Sequence, residues 1–129
     1  MTAQLNHTIV WCSDKARSSA FLADMLGLPA AKPFSHFLVV ELANGVSLDF
    51  MEKDGKIARQ HYAFLVSEDE FDAGFARIRE LGLPYWADPG HAQPGEINRH
   101  WGGRGVYFDD PDGHVLELIT KPYGAPEDL

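Results

Sequence analysis

Apolar and polar positions change period along the chain, and the changes mark out its elements. Leu5 to Cys12 is rich in β-branched and aromatic residues and predicts a strand. Lys15 to Leu26 switches to helical spacing, with Phe21, Leu22, Met25 and Leu26 on one stripe. Ala30 to Lys32 suits a short edge strand. His36 to Leu42 and Val46 to Lys53 are strands joined by Ala43-Asn44-Gly45, where Asn-Gly signals a hairpin. The same order then recurs. His61 to Ser67 is a strand, and Ser67-Glu68-Asp69-Glu70 is a capping-box pattern opening a helix whose stripe is Phe71, Phe75, Ile78 and Leu81. Tyr85-Trp86 is a short strand, and Gly105 to Asp109 and His114 to Lys121 form a hairpin about Asp110-Pro111-Asp112-Gly113. Pro122 to Leu129 reads as a frayed tail.

The recurrence is a true internal repeat. His7-Thr8-Ile9-Val10 aligns with His61-Tyr62-Ala63-Phe64 at an offset of 54, and Gly27-Leu28-Pro29 with Gly82-Leu83-Pro84 at 55. Gly followed by Pro ends both helices. Leu48-Asp49-Phe50 aligns with Leu116-Glu117-Leu118 at 68, so the second half carries 13 extra residues, placed within the Pro- and Gly-rich stretch Asp88 to Trp101. A loop of that length is usually functional or disordered. The fold expected is α+β: two βαβββ modules, residues 5–53 and 61–121, with pseudo-two-fold symmetry and an open curved sheet, in one domain spanning 1–129.

Alternation along the last strand of each module separates two faces. Leu116 and Leu118 point one way and Val115, Glu117 and Ile119 the other; Leu48 and Phe50 likewise oppose Asp49. The repeat therefore pairs two histidines, His7 and His61, and two carboxylates, Asp49 and Glu117. A carboxylate within Val-Leu-Glu-Leu-Ile sits among residues that want burial, and an unpaired buried charge costs several kcal/mol. A divalent cation held by two imidazoles and one or two carboxylates would neutralise it, and such a set with open positions suits non-haem iron, zinc, nickel or manganese.

Composition narrows the partners. The 129 residues carry 11 Lys+Arg against 19 Asp+Glu, a formal net charge of −8, and no clustered basic stripe, which argues against nucleic acid. Cys12 is the only cysteine, so no internal disulfide forms and a reducing, cytoplasmic setting is expected. No basic leader is recognisable at Met1 to His7, and no apolar run approaches the roughly 18 residues of a membrane span.

These residues resemble the vicinal oxygen chelate superfamily of glyoxalase I, bleomycin-resistance proteins, fosfomycin-resistance transferases and type I extradiol dioxygenases. The resemblance runs from Leu5 to about Thr120 and is most telling in Tyr107-Phe108-Asp109-Asp110-Pro111-Asp112-Gly113-His114-Val115-Leu116-Glu117-Leu118. It implies that His7, His61 and Glu117 hold a divalent transition metal. Asp49 falls where glyoxalase I has a fourth ligand, a Glu, and being one methylene shorter it acts directly or through a water. Tyr107 resembles a substrate-touching tyrosine of the fosfomycin transferases.

In this superfamily the metal accepts two adjacent oxygens of a small substrate, with a carboxylate, here Glu117 or Asp49, moving a proton. The resemblance also implies a homodimer with its sites at the interface. The four-position set favours a glyoxalase-like lyase or isomerase. The alternatives are an Fe(II) extradiol-type dioxygenase using only His7, His61 and Glu117, and a metal-free, bleomycin-resistance-like drug-binding protein. A fosfomycin-type thiol transferase ranks lower, since its potassium-binding loop is not recognisable.

Other residues carry weaker signals. Arg99, Trp101 and Arg104 flank the long loop, and Trp101 and Arg104 are candidates for binding an anionic or aromatic substrate. His36, His91, His100 and His114 have no repeat partner and read as structural or solvent-facing. Trp11 and Phe37 suit the core, and Cys12 reads as a buried, unreactive thiol.

Overall fold

A computed structural model describes residues 2–124 and divides the chain into two compact units, Met1–Ala58 and Arg59–Leu129. The first unit runs β1 (His7–Cys12), α1 (Lys15–Leu26), β2 (Lys32–Phe34), β3 (Phe37–Glu41) and β4 (Ser47–Glu52). Its sheet has the order β1-β4-β3-β2, with β1 parallel to β4 and the remaining pairs antiparallel.

Helix α1 starts where the Asp14 carboxylate accepts from the Arg17 N–H, 3.1 Å away. It stops at Gly27, whose left-handed φ of 65° lets the Leu28 N–H return to the Ala23 carbonyl. The residues it buries differ from the expected stripe. Ser18, Ser19, Leu22, Ala23 and Met25 are buried, while Phe21 and Leu26 are only half-buried. Small side chains let the helix lie close on β3 and β4, over Val40, Leu48 and Phe50. Each large apolar side chain buried there contributes about 1.5–3 kcal/mol. Strand β2 sits two residues later than Ala30 to Lys32 and contains Pro33, which an outer edge strand tolerates because the missing N–H costs no ladder bond there.

The second unit runs β5 (His61–Leu65), α2 (Glu68–Glu80), β6 (Gly105–Asp109) and β7 (Val115–Ile119), with sheet order β5-β7-β6 and β5 parallel to β7. The capping box is complete: Ser67 Oγ accepts from the Glu70 N–H and Glu70 Oε1 accepts from the Ser67 N–H. Phe71, Gly74 and Ile78 form the buried stripe of α2, with Phe75 half-buried and Leu81 exposed. The Asp110 carboxylate closes the β6–β7 turn by accepting from the N–H groups of Asp112 and His114, and Gly113 supplies the positive φ of 87°.

The strand expected at Tyr85-Trp86 is reduced to a bridge, in which Trp86 and Tyr107 exchange both backbone hydrogen bonds. Pro84 before it and Pro89 after it cannot donate to a ladder, so pairing does not propagate. Within 88–101, Asp88 accepts from the Ala92 and Gln93 N–H groups, and Asn98 pairs both ways with Gly105. Of the expected frayed tail, Pro122 to Gly124 are ordered in a turn beside β7, and 125–129 lie outside the described residues. Among the described residues no helix is long and apolar enough to cross a membrane.

The two sheets share one register. His7 stands opposite Ser47 and Ile9 opposite Asp49; His61 stands opposite Val115 and Ala63 opposite Glu117. Each unit therefore places its histidine and its carboxylate at the same relative positions on an edge strand and the parallel strand beside it.

Candidate metal and substrate half-sites

In the first unit, the sheet face away from α1 carries His7, Ile9, Ser47, Asp49, Val39 and Phe37. Alternation with the buried set Val10, Leu48, Phe50 and Val40 puts them there. They line a cavity of about 560 Å³ together with Asn6, Lys32, Pro33 and Phe34. That volume suits a small molecule, and the lining is of the expected kind, largely apolar and aromatic with a few polar groups. Ser47 Oγ donates to Asp49 Oδ1 at 3.1 Å, and Asp49 is 9% exposed. His7 is exposed, with Nδ1 2.7 Å from Asn6 Oδ1, so Nε2 is the nitrogen left to face a ligand. Phe37, expected in the core, is half-buried and lines this cavity; Trp11 is 39% exposed rather than core. Cys12 is buried as expected, its thiol directed at the Met51 carbonyl.

In the second unit the matching face carries His61, Glu117 and Tyr107. Glu117 is 1% exposed within β7, and His61 Nε2 lies 2.9 Å from its Oε1. The Tyr123 hydroxyl lies 2.8 Å from Oε1 and 2.7 Å from Oε2 of Glu117, and the Tyr107 hydroxyl is 3.2 Å from that of Tyr123. Tyr123 has one proton and directs it at the carboxylate, so Tyr107 is the donor between the two phenols. Burial foremost, and then the hydrogen bonds to Tyr123 and Glu117 and the nearby carboxylate charge, hold the Tyr107 phenol far above its ordinary pKa of 10.0. Tyr107 is therefore a neutral donor at any physiological pH. Tyr123 escapes sequence reasoning because it follows Lys121-Pro122 with no periodic partner; the one available signal is an aromatic residue just past the strand that carries Glu117.

The donor chemistry of this pair fits a divalent transition metal. A carboxylate buried to this degree ordinarily has a Lys or Arg beside it, and here its ion-pair partner among the described residues is the imidazole of His61. Imidazole nitrogen and carboxylate oxygen are the ligand types such metals take. Among the described residues no group of three His, Cys, Asp or Glu side chains is arranged to hold a metal ion; the pairs brought together within the units are His7 with Asp49, lining one cavity, and His61 with Glu117.

The remaining candidates separate. Arg104 is held in the structure of α2: Nε donates to Glu68 Oε1 at 2.8 Å, its other donors reach the Glu68 carbonyl and Asp72, and the guanidinium lies 4.4 Å over the Phe71 ring. A candidate for substrate binding, it directs Nε and Nη2 into the start of α2, where it is the basic partner of an acidic helix start. Trp101 remains available at 39% exposure, in a left-handed conformation with φ 61° within the 3-10 turn His100–Gly102. His114 is fully buried and structural, its Nδ1 accepting from the Gln60 N–H. His91 stacks on Trp86 at 3.5 Å.

The family model described as Glyoxalase/Bleomycin resistance protein/Dioxygenase superfamily matches residues 4–118. Among solved structures the chain is 60% identical to Oxidase ChaP-H1, with a TM-score of 0.94, over 96% of this chain and 100% of that one. It is 61% identical to Oxidase ChaP-H2, with a TM-score of 0.95, over 97% of this chain and 98% of that one. It is also 31% identical to Metallothiol transferase FosB of Lysinibacillus sphaericus (strain C3-41), over 93% of this chain and 84% of that protein.

Proposed function

Because the chain belongs to the glyoxalase/bleomycin resistance protein/dioxygenase superfamily, we propose that it is a divalent-metal-dependent oxidase of a small aromatic substrate bearing two adjacent oxygens. The observation that carries the metal reading is the buried Glu117 carboxylate meeting His61 at 2.9 Å, with no Lys or Arg paired to it among the described residues. His61 and Glu117 of one copy are two ligands, and His7 of a second copy is the third, which makes the active unit a homodimer. Two histidines and one carboxylate leave positions open for a bidentate substrate and dioxygen, the arrangement of non-haem Fe(II) oxygenases. When bound, such a metal supplies Lewis-acid polarisation of the substrate oxygens and electron transfer with dioxygen.

The chain's own groups do the rest. Ile9, Phe34, Phe37 and Val39 offer a flat, apolar seat for an aromatic ring, and Lys32 beside them suits an anionic substituent. Asp49, steadied by Ser47, takes the proton of a substrate hydroxyl as that oxygen becomes anionic. Tyr107, fixed in its protonated form, donates a hydrogen bond toward developing negative charge.

The pattern of residues alone favours a lyase or isomerase. The 60% identity to a protein named an oxidase, against 31% to a thiol transferase, supports oxidation instead. The test is anaerobic reconstitution of the full-length protein with Fe(II), followed by dioxygen uptake with catechols and ortho-hydroxy-carbonyl aromatics. Parallel assays use a 2-oxoaldehyde hemithioacetal and fosfomycin with a thiol. Substrate-dependent dioxygen consumption supports the proposal; turnover confined to the hemithioacetal or to thiol addition overturns it. Failure to bind any transition metal would move the reading to a drug-binding protein.

A further inference from the structure

Most of Tyr123 is in solvent, 62% exposed, yet its hydroxyl reaches a carboxylate that is 1% exposed. Its distances to the two oxygens, 2.8 and 2.7 Å, are nearly equal. The phenol oxygen therefore sits in the mouth of the carboxylate, on the bisector from which a cation would chelate it. His61 reaches Oε1 as well, so both oxygens are engaged by protein donors, and a metal approaching Glu117 meets a hydroxyl already in place.

The two tyrosines at this point differ in how firmly they are held. Tyr107 is buried in β6, opposite Glu117 in the β7 register, and bridged by its backbone to Trp86. Tyr123 lies in the exposed turn after β7, next to Gly124 at a φ of 76°, and little apolar surface would be uncovered if its ring swung away. The displaceable partner of Glu117 is Tyr123.

We propose that Tyr123 is a removable cap on Glu117: its hydroxyl holds the carboxylate in the metal-free chain and must leave before a divalent cation can bind, so it sets the affinity and rate of loading. The proposal rests on the reading of Glu117 as a metal ligand. A hydrogen bond to a charged group that must be broken on binding weakens apparent affinity by about tenfold.

The experiment is Co(II) titration of metal-stripped full-length protein, wild type and Tyr123→Phe, following the visible absorption of bound cobalt at equilibrium and by stopped flow. A second readout is the near-UV tyrosine difference spectrum on Co(II) addition. Tighter Co(II) binding by about tenfold and faster loading in Tyr123→Phe, with a tyrosine difference signal in wild type that shrinks in the variant, are the expected results. Equal affinity and rate in a wild type that does take up Co(II) overturns the cap and leaves the metal reading standing. Weaker binding in the variant also overturns it, because Tyr123 would then be a donor that supports the bound ligand. Absence of Co(II) binding in both proteins removes the metal reading and the cap together.

Discussion

His61 and Glu117 meet side chain to side chain at 2.9 Å, although the residue facing Glu117 across the ladder is Ala63. The small methyl of Ala63 leaves the space through which an edge-strand imidazole reaches diagonally to a buried carboxylate. That carboxylate lies in an otherwise apolar strand, where removing charge from water is costly.

Replacing Glu117 by Leu is therefore expected to raise stability while abolishing metal binding. Its direct partners are exposed enough to find water, His61 by turning outward and Tyr123 in place, where it still accepts from the buried Tyr107 hydroxyl. A gain of about 1–2 kcal/mol in denaturant unfolding is the expected size, with metal content by elemental analysis falling to background. A variant that is destabilised would show that the Glu117 network holds the fold rather than the site.

His7 and Glu117 lie in different units, and the proposed dimer takes one from each copy. The variants His7→Ala and Glu117→Ala should each be inactive and metal-poor. Mixed in equal amounts through a denaturation and refolding cycle, they should recover about a quarter of the wild-type sites, since half of the pairs are mixed and each mixed pair holds one intact site of two. No recovery in a mixture shown to exchange subunits would place all three ligands in one chain.

Gly105 opens β6 against the long loop, and a Cβ there would meet the Asn98 side chain at 2.8 Å. Asn98 is not free to retreat: its amide donates to the Ala87 carbonyl and its backbone pairs with Gly105. Gly105→Ala should cost about 1–3 kcal/mol by overpacking. Amide exchange should quicken across 88–101 before it quickens in β7, which mass-spectrometric hydrogen exchange would read.

Acid should weaken the second unit through the start of α2. Hydrogen bonds from Thr120 and then Arg104 hold Glu68 below its ordinary value of 4.5, and the capping box holds Glu70 low in the same way. A carboxyl with a depressed folded-state pKa binds fewer protons folded than unfolded, so its stabilisation is present above 4.5 and fades as pH falls through the folded value. Arg104→Ala should cost about 0.5–1 kcal/mol at pH 7, the discount appropriate to pairs this exposed. The deficit should narrow on acidification below 4.5, as the depressed Glu68 carboxyl takes up its proton and the two urea curves converge. A deficit independent of pH would assign the role of Arg104 to its packing on Phe71.

The repeat was legible because chemistry and pattern coincided. A histidine opening a strand and a carboxylate flanked by leucine or phenylalanine recur at spacings the ladders then reproduce, His7 to Ser47 and His61 to Val115. Both helix boundaries followed from local capping, which needs no tertiary information. The buried face of α1 was less legible, because Ser18, Ser19 and Ala23 are buried for their size and not for their hydrophobicity. The contacts of Arg104 and Tyr123 were not legible for a related reason. Their partners, Glu68 and Glu117, are set by the strand order that brings the ends of β6 and β7 beside other elements, and the local sequence reports no more of it than an aromatic residue just past β7.

The stretch 88–101 is fastened at its root by the Asp88 carboxylate and at its far end by the double pairing of Asn98 with Gly105. Between these two anchors Pro94 is bridged to Trp86 and the Gly95 N–H donates to the Tyr85 carbonyl, which leaves Glu96 and Ile97 outside the pairing. The segment is in effect a cassette with a short variable tip: Glu96 and Ile97 can be rewritten, whereas Pro94 and Gly95 are tied through Tyr85 and Trp86 to β6. A lineage could explore new ligands there while its core stayed unaltered, and an engineer could graft foreign tips onto the same two anchors.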